Sequence, residues 1–98
     1  MARFDVYRSR SGDELLLDCQ SDLLDHFQTR FVVPLVQRGV ATETKRLHPI
    51  FSIGGEERIM ATQLASAIDK RELGDRITNL SDHHDSIIAA IDMLISGI

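Results

Sequence analysis

The chain contains no tryptophan, one tyrosine, four phenylalanines, two prolines and one cysteine in 98 residues. A lone Cys19 excludes an internal disulfide and points to a reducing compartment. No apolar run is long enough to span a membrane. The opening Met1-Ala2-Arg3-Phe4-Asp5 lacks the apolar core of a signal peptide, so a cytoplasmic protein with no membrane contact is expected. Positive charge is also scarce. Lys and Arg number 11 against 15 Asp and Glu, for a formal net charge of −4. That balance excludes a general binder of phosphate backbones, and no direct nucleic-acid binding is expected. Arg30, Arg38, Lys45 and Arg46 form a loose basic zone, which reads as a solvated face.

Signatures of catalysis and metal binding are missing as well. Gly54-Gly55 has no following Lys-Ser/Thr and sits between strand patterns, unlike a phosphate loop. No Cys/His spacing fits zinc. His83 and His84 are adjacent on a helix and so point about 100° apart, which does not converge on one ion. Cys19 shares a strand face with Leu15 and Leu17, as a buried small hydrophobe would. No pair of carboxylates has a spacing that suggests acid–base work. The residues therefore call for no enzyme, no cofactor and no metal.

What is present fits one soluble domain over residues 1–98, with 43% apolar and 27% charged residues. Arg3–Arg8 and Glu14–Gln20 alternate in polarity and predict an opening hairpin. Phe31–Val36 is a further strand, with an edge or bulge at Pro34. Leu47–Ile53 and Glu56–Thr62 flank Gly54-Gly55 as a second hairpin. The polar stretch 37–46 reads as a loop, and 63–79 as a short turn followed by irregular chain. Ile87, Ile88, Ile91, Leu94 and Ile95 form an apolar stripe of helical period, with Ser81 as the expected cap. Five antiparallel strands with one closing helix predict a small barrel.

Two features have both a bland and a functional explanation. Leu23-Leu24, inside a polar turn, either tucks under the sheet or stands out as an apolar knob. Gly97-Ile98 is either a frayed end or an apolar probe on a glycine swivel.

Several segments together resemble one family. They are Phe4-Asp5-Val6-Tyr7, Asp18-Cys19-Gln20-Ser21-Asp22-Leu23-Leu24-Asp25, and Arg30-Phe31-Val32-Val33-Pro34-Leu35. Leu47-His48-Pro49, Met60-Ala61-Thr62-Gln63-Leu64-Ala65-Ser66 and Ala90-Ile91-Asp92-Met93-Leu94-Ile95-Ser96-Gly97-Ile98 follow in order. The chain resembles the CcdB toxins of CcdA–CcdB toxin–antitoxin modules over nearly its full length.

The resemblance implies an SH3-like barrel of antiparallel strands, shared with the MazF family, with a small extra sheet and a C-terminal helix, assembled as a homodimer. It implies a toxin that binds the A subunit of DNA gyrase and traps the enzyme with its DNA cut. A CcdA-like antitoxin, whose disordered tail folds on binding, would neutralise it. Carried over by position, the gyrase-binding residues are Leu23, Leu24, Asp92, Ile95, Ser96, Gly97 and Ile98. The match departs at two of them: Ser96 stands where the best-known member has tryptophan, and Asp92 where it has asparagine. Losing a tryptophan contact removes about 3 kcal/mol, or about two decades of affinity, unless another group replaces it. The competing expectations are a silenced relative that only binds antitoxin, and a MazF-like endoribonuclease. The latter would draw on Arg30, Arg38, Arg46 and His48 to act on a phosphate.

Overall fold

The computed structural model describes residues 2–39 and 44–97. Its first two strands, β1 (Asp5–Ser9) and β2 (Leu15–Asp18), form the expected hairpin, with Val6 opposite Leu17 and Tyr7 opposite Leu16. The long β3 (Thr29–Gln37) pairs with β2. Next, β4 (Ile50–Ile53) and β5 (Glu56–Met60) join through Gly54-Gly55, as the dipeptide predicts. The chain then adds β6 (Ser66–Asp69), β7 (Leu73–Asn79) and the helix α1 (His84–Ser96). The seven strands form one curled antiparallel sheet in the order β4-β5-β3-β2-β1-β7, with β6 branching onto β3.

Two strands therefore lie where irregular chain was expected. β6 and β7 carry little apolar alternation, because each is half covered at most; Ala67, Asp75 and Ile77 are all exposed. Their partners define them: β6 pairs with Thr29–Val32 and β7 with β1. Gly74 does not interrupt β7. A Cβ there would sit 2.8 Å from the Arg8 carbonyl oxygen, so glycine is what allows β1 and β7 to approach.

Pro34 also differs from expectation, because β3 is an interior strand. One edge of β3 pairs with β6 over residues 29–32 and with β5 over 35–37. Pro34 falls at that change of partner, and its carbonyl accepts from Ala61 N–H at 2.9 Å. The missing N–H points the same way, into the gap between two strands, where no ladder bond is lost.

Strand alternation sorts the core onto two faces. Phe4, Val6, Leu15, Leu17, Val33, Leu35, Phe51 and Met60 meet Ile87 and Ala90 of α1 on one face. Tyr7, Leu16, Val32 and Leu73 cluster on the other. Cys19 packs against the first cluster as expected, and burial pushes its thiol up to about 12.

The helix begins later than the sequence suggests. Ser81–His83 is a single 3₁₀ turn, and α1 follows from His84 with His83 at its cap position. Ser81 is not the cap; its N–H donates to Asn79 Oδ1 at 2.8 Å. Phe4 and Phe51 hold this entry, their rings meeting His84 at 5.6 Å and His83 at 4.9 Å. Among the described residues no helix is long and apolar enough to cross a membrane.

Candidate functional site

The segment from Asp18 to Asp25 is a loop in which nearly every polar side chain has a structural task. Asp18 Oδ1 accepts from Gln20 N–H at 3.1 Å. The Gln20 side chain bridges the loop, donating to Leu24 carbonyl and accepting from Phe31 N–H, each at 2.9 Å. Ser21 Oγ caps the 3₁₀ turn Asp22–Leu24 by accepting from Leu23 N–H. Asp22 Oδ1 accepts from Arg3 N–H at 2.8 Å. Asp25 Oδ1 accepts from Arg30, and Lys70 Nζ donates to the Asp25 carbonyl at 2.6 Å.

Beneath the loop lies an ion pair that sequence reasoning misplaced. Arg30, expected on a solvated face, is fully buried and donates through Nε and Nη2 to Asp18 Oδ2. Burial pushes the Asp18 carboxyl upward, and the guanidinium and Gln20 N–H partly offset that. A charge so buried survives only with a partner, and Asp18 supplies it. The reason the spacing hid this is that Asp18 and Arg30 sit on adjacent strands, at the ends of β2 and β3.

The clamped backbone displays its apolar side chains. Leu23 is 86% exposed and Leu24 41%. Of the two readings of this pair, the exposed knob is the one observed.

The helix tip follows the same logic by another route. Ile87 and Ala90 are buried, and Ile88 and Ile91 pack against the core. The stripe then outlasts the surface beneath it: Leu94 is 42% exposed and Ile95 77%. Asp92 and Ser96 are also exposed on this last turn. Ser96 Oγ donates back to the Asp92 carbonyl at 2.7 Å. Gly97 ends the helix in the left-handed region, φ 75°, with its N–H on the Met93 carbonyl at 3.0 Å. That conformation suits glycine and closes the helix with a left-handed cap. Ile98 lies outside the described residues.

The structure thus gathers Asp92, Ile95, Ser96 and Gly97 on the end of α1, and Leu23 and Leu24 on the 3₁₀ turn. No hydrogen bond or ion pair joins these two segments among the described residues. The basic residues do not assemble likewise. Arg30 is sealed beside Asp18, and Arg38 is paired with Glu57 at 3.0 Å. Arg38, Lys45, Arg46 and His48 do line a surface cleft of about 670 Å³ between the approach to β4 and the start of α1. His48 there is committed, accepting at Nδ1 from Thr44 N–H at 2.8 Å and lying 2.7 Å through Nε2 from Gln63 Oε1. Among the described residues, no three His, Cys, Asp or Glu side chains are grouped to hold a metal.

Sequence comparison decides the family, because the family model described as "CcdB protein" matches residues 3–97. The chain belongs to the CcdB family. Solved structures share its fold at low identity. An endoribonuclease from Mycobacterial species is 17% identical with a TM-score of 0.77, covering 97% of this chain and 90% of that one. An endoribonuclease in complex with its cognate antitoxin, also from Mycobacterial species, is 17% identical with a TM-score of 0.79, covering 97% and 94%. The Mycobacterium tuberculosis toxin MazF-mt6 is 11% identical with a TM-score of 0.79, covering 93% and 95%. The curled sheet with its closing helix is therefore common to CcdB-like and MazF-like proteins.

Proposed function

We propose that this chain is the toxin of a type II toxin–antitoxin module. As a homodimer in the cytoplasm, it binds the A subunit of DNA gyrase and traps the cleaved gyrase–DNA complex. A CcdA-like antitoxin neutralises it. The observation that carries this reading is the apolar end of α1, which runs past its own packing surface and exposes Leu94 and Ile95. Contiguous exposed apolar groups on a rigid element are what a protein partner buries. Membership of the CcdB family favours gyrase as the partner, and the structural relative solved with its cognate antitoxin supports the antitoxin.

The family's fold relatives include endoribonucleases, and the Lys45–Arg46 cleft is where such chemistry would be sought. General acid–base catalysis needs a side chain within reach of the transferred proton. His48 has both ring nitrogens engaged, and Arg30 is sealed from solvent. This favours a binding protein over a nuclease. A silenced relative would keep antitoxin binding and lose the gyrase contact.

Deleting Ser96-Gly97-Ile98 is expected to abolish capture of the gyrase A subunit and growth arrest while leaving the melting temperature and antitoxin binding intact. Growth arrest by the truncated chain would contradict the proposal.

A further inference from the structure

We propose that Phe27 is an aromatic anchor of the gyrase contact, extending the Leu23-Leu24 knob and acting together with the helix tip. This rests on the gyrase reading above. Phe27 is 46% exposed and is the one aromatic residue more than a third exposed among the described residues. Interfaces draw most of their affinity from a few aromatic anchors at low entropic cost. The helix tip offers none, and the Ser96 hydroxyl is spent on the Asp92 carbonyl.

Phe27 is continuous with the leucine knob. Its N–H donates to the Leu24 carbonyl at 3.2 Å, closing a turn in which these two residues are first and last. The Cα atoms at the ends of such a turn lie within about 7 Å of each other, so the exposed Leu23, Leu24 and Phe27 belong to one short turn. The His26 ring meets the phenyl edge-on at 4.5 Å and restricts its orientation. Gln28 lies immediately beyond, its side chain donating to Asp69 at 3.1 Å and its carbonyl accepting from Lys70 N–H at 2.8 Å. A patch already fixed on both sides loses little freedom when a partner covers it. Its occupant is an apolar surface of the gyrase A subunit, and Phe27 supplies the aromatic contact that the helix tip lacks.

The test is titration calorimetry of the intact protein against purified gyrase A subunit. Phe27→Ala is expected to weaken binding about thirtyfold with an unchanged melting temperature, and Phe27→Trp to retain it within about threefold. Ser96→Ala is expected to change it less than about threefold. Binding by Phe27→Ala within about threefold of the parent, or an equal loss in Ser96→Ala, overturns the anchor while leaving the gyrase reading intact. No binding by the parent protein overturns both.

Discussion

Tyr7 shows how one residue links charge, burial and stability. Its hydroxyl donates to Asp5 Oδ2 at 3.1 Å inside a buried network that also draws in Asn79, Arg76 and Ala2. Burial acts to raise the Asp5 carboxyl, but the hydrogen bonds outweigh it and hold the group below its ordinary value. Burial and then the Asp5 charge push the Tyr7 phenol from 10.0 up to about 12. The folded state therefore keeps this proton at a pH where the unfolded chain has released it. The contribution is fully present below pH 10 and falls as pH rises toward 12, by about 1.4 kcal/mol per pH unit. Denaturant unfolding at pH 8 and pH 11 is expected to show a smaller alkaline loss in Tyr7→Phe than in the parent. Equal losses would contradict the assignment. Nothing in the spacing of Asp5, Arg76 and Asn79 announced this network, since β1 and β7 meet across seventy residues of chain. The same holds for Asp18 and Arg30. Their loop signature was legible as a family motif, but its physical purpose, clamping a turn so that Leu23, Leu24 and Phe27 stand out, emerged only from the contacts. Phe27 itself was passed over. The available signal was an aromatic residue inside the polar run His26-Phe27-Gln28.

Elements with a strong period were legible and those defined by a partner were not. The β1–β2 and β4–β5 hairpins follow from alternation and from Gly54-Gly55, and α1 follows from its isoleucine stripe. β6 and β7 have mostly exposed or half-exposed side chains, so no buried face marks them in the sequence. Gly74 looked like an interruption and is instead a steric allowance. Gly74→Ala would drive a Cβ to 2.8 Å from the Arg8 carbonyl. It is expected to cost about 1–3 kcal/mol in urea unfolding by forcing β7 from β1. A variant of unchanged stability would show that the two strands can separate without penalty. The helix cap was misplaced by two residues, from Ser81 to His83, because Ser81 had the right chemistry for a cap while the chain first makes a 3₁₀ turn held by Asn79.

At the scale of the molecule, the sheet buries one face against α1 and packs a smaller cluster on the other. That arrangement consumes the first half of the helical stripe and leaves the second half exposed. Leu94, Ile95 and the knob at Leu23 are among the large apolar side chains left exposed once the fold is satisfied, together with Leu24, Phe27, Leu64 and Ile77, and the two at the helix end and the knob read as a contact for another protein. The family match over residues 3–97 makes this a CcdB-family chain, and the exposed apolar surface is the one the proposed gyrase contact would use. The most direct test incubates purified protein with gyrase, ATP and supercoiled DNA, then denatures the mixture and measures linear DNA. The account predicts accumulation of gyrase-linked cleaved DNA that rises with protein concentration and disappears when Ser96-Gly97-Ile98 is removed. Intact supercoiling with no cleaved DNA at saturating protein would contradict it.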